Sequence, residues 1–71
     1  MRGRKQHPDR DLRLRRALEL AAAGCTVRDA ARLQRIRPGA AKRRLRDAQT
    51  WLGADNTAHA VALAIRRGVI D

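Results

Sequence analysis

The chain has 71 residues, a single cysteine, and seventeen Lys or Arg against seven Asp or Glu, for a formal charge of +10. A chain this short closes around one core at most, and a lone Cys25 excludes a disulfide framework and fits a reducing compartment. No apolar run approaches the ~18 residues of a membrane span, and the basic start is not followed by the apolar stretch of a signal peptide, so a soluble cytoplasmic protein is expected.

Residues 1–10 carry Arg2, Arg4, Lys5 and Arg10 with hardly an apolar side chain to anchor them, which predicts a disordered basic N-terminal arm ahead of a domain spanning residues 11–71. Arg2-Gly3-Arg4 is similar to the centre of an AT-hook, which places arginines in a narrow minor groove; a solvated tail accounts for the same tripeptide. From Asp11 to Ala23, Leu14, Ala17, Leu18 and Ala21 recur at helical spacing, and Gly24 stands where a left-handed residue ends a helix. Thr26-Val-Arg-Asp29 has the form of a capping box, with Asp in place of the longer Glu or Gln, and opens a second helix over Val27 to Gln34. Arg37-Pro38 marks the next boundary, because proline disfavours helical geometry in the residue before it and fits the first turn of a new helix. The third helix then carries Ala41, Leu45, Ala48 and Leu52 on one face and stops at Gly53. Asp55-Asn56-Thr57 offers caps for a fourth helix, which continues to about Arg67 before Gly68. The expected class is all-α, four helices with short connections.

A charge this high exceeds what solubility needs and calls for a polyanionic partner. The cations fall on several segments rather than on one polar helix face, which favours nucleic acid over an anionic membrane surface. Helix, short turn and second helix with a basic outer face is the arrangement that reads the DNA major groove. At ~100° per residue, Gly39, Lys42, Arg43 and Arg46 gather opposite the Ala41/Leu45/Ala48/Leu52 stripe of the third helix. Arginine or lysine there reaches guanine O6 and N7, while Gly39 and Ala40 leave room for the backbone to come close. A charged helix face is ordinarily just a solvated one; the capped helix and proline-marked turn ahead of it favour recognition. On the fourth helix Ala58, Ala60, Val61, Ala62, Ala64 and Ile65 cover an apolar arc of roughly 200°, about twice what docking on one core requires. The surplus predicts a homodimer on DNA through Ala58, Ala62 and Ile65, although alanine enrichment by a GC-rich genome accounts for part of the arc.

These residues resemble the LuxR-type (GerE-like) helix-turn-helix domain of bacterial regulators, here in a stand-alone form. The likeness runs without gaps from Leu18 to Ile70 and is firmest at Leu18 to Gly24, Thr26 to Ala31, Ile36, Lys42, Leu52-Gly53 and Ala60 to Ile70. It implies that the third helix enters the major groove and that the fourth forms the dimer contact. Lys42, Arg43 and Arg46 are then the base or groove contacts, with Arg37 and Arg44 beside them, and Thr26, Val27 and Arg28 lie near phosphate. Several positions depart from the family's pattern: Leu14 where an acidic residue is usual, Arg37 for serine, Ala40-Ala41 for threonine-valine, and Arg44 for histidine. Gln34 takes the place of a core leucine, with Leu33 one position earlier, so a local rearrangement of the second helix is expected. Trp51 replaces a lysine and is expected to cover the edge of a core thinned by alanines at positions 30, 41 and 48.

Catalysis has little to work with: no serine or tyrosine, one thiol, and His7 and His59 without a sequence-local partner resembling a metal site. Neither an enzyme nor a bound cofactor or metal is expected, and the absence of a receiver or ligand-binding segment leaves activity to abundance or to a partner. The reading is thus a cytoplasmic, nucleoid-associated transcription regulator that binds double-stranded DNA. The alternative is a module related to the promoter-reading region of sigma factors, or one from a phage or mobile element, acting through RNA polymerase or another regulator.

Overall fold

A computed structural model describes the backbone of residues 8–71 and the side chains of residues 11–71. It contains four α-helices, α1 Pro8–Ala22, α2 Val27–Gln34, α3 Pro38–Leu52 and α4 Thr57–Arg66, and no strand among the described residues. The bounds of α2 and α3 are those expected from their caps and from Pro38. The first helix differs: it starts at Pro8, so residues 8–10, expected in the basic arm, are helical. Proline's fixed φ suits the first position of a helix, where its missing N–H costs nothing, and this outweighs the lack of apolar anchors that argued for an arm. The rest of that arm, residues 1–7, lies outside the described residues. None of the described helices is long and apolar enough to cross a membrane.

Every helix ends in the same way. The residue after the last turn adopts the left-handed conformation or lies next to one that does, and paired backbone bonds close the end. Cys25 N–H donates to Leu20, Ile36 to Ala31, Ala54 to Gln49 and Val69 to Ala64, each within 2.8–3.0 Å. Glycine supplies the positive φ at 24, 53 and 68, whereas the end of α2 uses Arg35 at φ 58°. Three tight terminations with glycine and one with arginine keep the connections short.

α3 is the central helix and packs against each of the other three, while α2 and α4 do not touch. Leu14, Leu18, Ala48, Leu52, Ala60, Ala64 and Ile70 form the main cluster, bordered by Ala54, Val61, Leu63 and Val69. Among the described residues Leu18 is the only large side chain that is completely buried; alanines at 17, 31, 41, 48, 60 and 64 fill the rest and let the helices approach closely. The stripe expected on α1 is broadened. Leu20 is buried and Ala21 only half-buried, because α1 contacts three helices and therefore hides a wider arc than one stripe. Leu45 is likewise half-buried rather than central.

Side chains tie the helices where alanine cannot. Gln49 Nε2 donates to Thr57 Oγ1 at 3.0 Å, joining α3 to the start of α4, and Arg67 Nη1 donates to the Leu52 carbonyl at 3.2 Å, closing the end of α3. Trp51 is 42% exposed and shares a shallow groove with Asp11, Leu12, Arg15 and Val69, so it borders the core edge without sealing it.

Candidate nucleic-acid interface

The geometry ahead of α3 is set by two local choices. Thr26 caps α2 by accepting from the Asp29 N–H at 3.1 Å, the forward half of the expected capping box. No return bond from the Asp29 carboxylate is present among the described residues, in keeping with its shorter reach. At the other end, Arg37 is extended at φ −78° and ψ 154°, as a residue before proline must be, and leaves α3 without a side-chain cap. A guanidinium has no acceptor for the first amides of α3, so the helix opens without a side-chain cap and Arg37 stands exposed at its mouth.

Along α3 the buried residues Ala41, Ala48 and Leu52 fix which face points outward. Lys42, Arg43 and Arg46 are exposed and line one open depression of about 420 Å³ together with Gly39 and Asp47. Nothing lies within 4 Å of a Cβ built on Gly39, so no internal packing demands a glycine there. Thr50, one turn beyond Arg46, is exposed on the same strip, with its hydroxyl donating to the Arg46 carbonyl at 3.3 Å. Sequence reasoning passed over Thr50 and Asp47 because it sought cations; the i, i+4 spacing from Arg46 and Arg43 was the signal that could have found them.

Arg44 is placed differently from its neighbours. It is half-buried, and its Nη1 donates to Gln34 Oε1 at 3.0 Å, while Gln34 Nε2 donates to the Ala30 carbonyl at 3.1 Å. The side chain expected among the groove contacts thus bridges α3 to α2. α2 has the expected bounds Val27–Gln34, with Gln34 half-buried as a polar tie and Leu33 59% exposed.

Thr26 and Arg28 are exposed and Val27 is half-buried at the first turn of α2. The Thr26 hydroxyl accepts from Asp29, which leaves its own proton available to an external acceptor. On α4, Ala60 and Ala64 are buried, whereas Ala58, Ala62 and Ile65 are exposed, Ile65 by 48%. His59 donates its backbone N–H to Asn56 Oδ1 at 2.8 Å, and its Nδ1 accepts from the Asp55 N–H at 3.1 Å, so both groups serve the start of α4.

The electrostatics of the surface are one-sided. Among the described residues, Arg16 alone of the lysines and arginines has a carboxylate within 4 Å, that of Glu19 at 3.6 Å. An exposed pair of this kind contributes little, and the remaining cations keep their field for an outside anion. Among the same residues no group of three or more His, Cys, Asp or Glu is placed to hold a metal ion. No family model, curated protein or solved structure matches this chain.

Proposed function

We propose that this protein is a transcription regulator that binds specific sequences of double-stranded DNA as a helix-turn-helix domain similar to the LuxR type, with α3 in the major groove. The observation that carries the reading is the outer strip of α3. Gly39, Lys42, Arg43 and Arg46 share one open face opposite the buried alanines, and among the described residues no carboxylate pairs with its cations. Lys42, Arg43 and Arg46 reach base edges in this reading, Gly39 lets the backbone approach, and Arg37, Thr26, Val27 and Arg28 meet phosphates beside the groove. The exposed Ala58, Ala62 and Ile65 pair two copies on DNA, which sets two recognition helices about one helical turn apart.

Substitution separates the two kinds of contact. Lys42→Ala or Arg43→Ala should cost about 1–3 kcal/mol on the preferred site and relax discrimination at one or two base pairs, as loss of a base contact does. Arg28→Ala should weaken all sequences alike. If all three behaved like Arg28→Ala, α3 would not be reading bases.

One observation supports a second reading, in which the domain works through RNA polymerase or another regulator. Leu12 and Leu33, the two most exposed large apolar side chains among the described residues, border one depression ringed by Arg13, Arg16 and Arg44. A tight one-to-one protein complex without sequence preference for DNA would favour it.

A further inference from the structure

The recognition strip is not the only basic surface on α3. On its other flank, where α1 crosses it, Arg13, Arg43 and Arg44 line a cleft of about 220 Å³ together with Leu14, Ala40 and Asp47. Leu14 is buried and belongs to the core, so the cleft has a fixed apolar floor, and Ala40 keeps one wall low. Arg13 comes from α1 and the other two arginines from α3, which brings together cations that the sequence separates by thirty residues.

Three guanidiniums around one small cleft repel one another unless something of opposite charge joins them. Asp47 supplies part of it from within the cleft, yet it forms no ion pair with any of the three, and among the described residues none of them has another carboxylate within 4 Å. Counting the side chains that line it, the cleft holds three positive charges against one negative and has room for an anion. Arg44 is already oriented, because one of its nitrogens is held by Gln34 and the planar guanidinium keeps its remaining donors free. Planar forks of this kind match the paired oxygens of a phosphate.

We infer that this cleft between α1 and α3 binds a phosphate of the DNA backbone, with Arg13 as a contact contributed by the first helix. The inference rests on the DNA-binding reading above and extends it. Arg43 stands at the boundary between the outer strip and the cleft, so a strand phosphate held here fixes the depth and tilt of α3 in the groove. Arg44 acts in the same clamp and not on bases, which its tie to Gln34 explains. The cleft reads no sequence: phosphates are alike, and the contact positions the helix that does the reading.

The test is a double-substitution cycle between protein and DNA on the preferred duplex, in which single phosphates are replaced one at a time by uncharged methylphosphonates. Wild-type protein should lose about three- to tenfold in affinity at one position on the strand bordering the groove. Arg13→Ala should show a similar loss on unmodified DNA, no further loss at that position, and an unchanged preferred sequence. Its slope of log K against log salt should fall by ~0.9, the release of one phosphate's counterions. Arg13→Lys, which keeps the charge, should recover most of the slope. Arg13 is exposed on a helix, where alanine is well tolerated, and circular dichroism of the variant should match wild type.

Unchanged affinity and slope in Arg13→Ala would overturn the inference, as would losses that simply add at every position. Inorganic phosphate distinguishes the source of the anion. At matched ionic strength it should displace the DNA no better than chloride. Saturable phosphate binding that Arg13→Ala abolishes, with DNA affinity untouched, would give the cleft to a free anion and overturn the assignment to the strand. If wild-type protein showed no sequence preference at all, the functional reading itself would fail, an outcome visible before any variant is made.

Discussion

Replacing Arg35 by glycine should stabilise the domain. Arg35 has φ 58° and is the only non-glycine residue with positive φ among those described. An L-residue in the left-handed region is disfavoured by roughly 1–2 kcal/mol because its Cβ crowds the following carbonyl, and glycine removes that strain. Against this, glycine loses about 0.5–1 kcal/mol through the greater freedom of its unfolded chain. The balance is a gain of roughly 0.5–1 kcal/mol, since the closing bonds of α2, Ile36 N–H to Ala31 at 2.9 Å and Arg35 N–H to Arg32 at 3.1 Å, are made by the backbone and survive the change. For a domain of this size that corresponds to roughly 2–8 °C in Tm, measured by circular dichroism at fixed protein concentration and salt. Gly53→Ala provides the mirror case. A Cβ there meets nothing within 4 Å, but φ is 72°, so the same strain appears and Tm should fall by a comparable amount. A lower Tm for Arg35→Gly would refute the reasoning and would mean that the guanidinium, not the backbone, holds the turn.

The tie between α2 and α3 should appear as coupling: Gln34→Ala and Arg44→Ala, measured by urea unfolding, should each destabilise, and the double variant should lose less than their sum by about 0.5–1.5 kcal/mol. Strict additivity would show that the 3.0 Å bond contributes nothing. Ala62→Glu should leave the monomer folded, because the position is exposed, yet abolish cooperative occupation of two half-sites in a gel-shift titration. Cooperativity that persisted in this variant would place the pairing surface elsewhere than on α4.

The parts of the fold that were legible in the sequence are those governed by local chemistry. Thr26 and Asn56 at helix starts, Pro38 within the first turn of α3, and Gly24, Gly53 and Gly68 at helix ends each impose a backbone geometry that does not wait for tertiary packing. Hence α2 and α3 have the bounds their punctuation implies. The missed features depend on what lies across the chain. The periodicity of α1 marked Ala21 instead of Leu20, since a single stripe does not reveal that three helices cover α1. Arg44 looked like its neighbours Arg43 and Arg46, and only the placement of α2 shows that Gln34 engages it. The same holds for the cleft on the flank of α3, where Arg13 joins Arg43 and Arg44 through the packing of α1. Pro8 is the opposite case: proline fits the first position of a helix, a local signal that the arm expected over residues 1–10 did not use.

The most direct test of DNA reading by α3 is selection of double-stranded DNA from a random library by the purified protein at several salt concentrations. DNA reading by α3 should enrich one imperfect palindrome with half-sites centred about one helical turn, ~10 base pairs, apart. Affinity should fall steeply with salt, because several phosphate contacts each add about −0.9 to the slope of log K against log salt. Selected pools without a shared sequence, or affinity indifferent to salt, would contradict it.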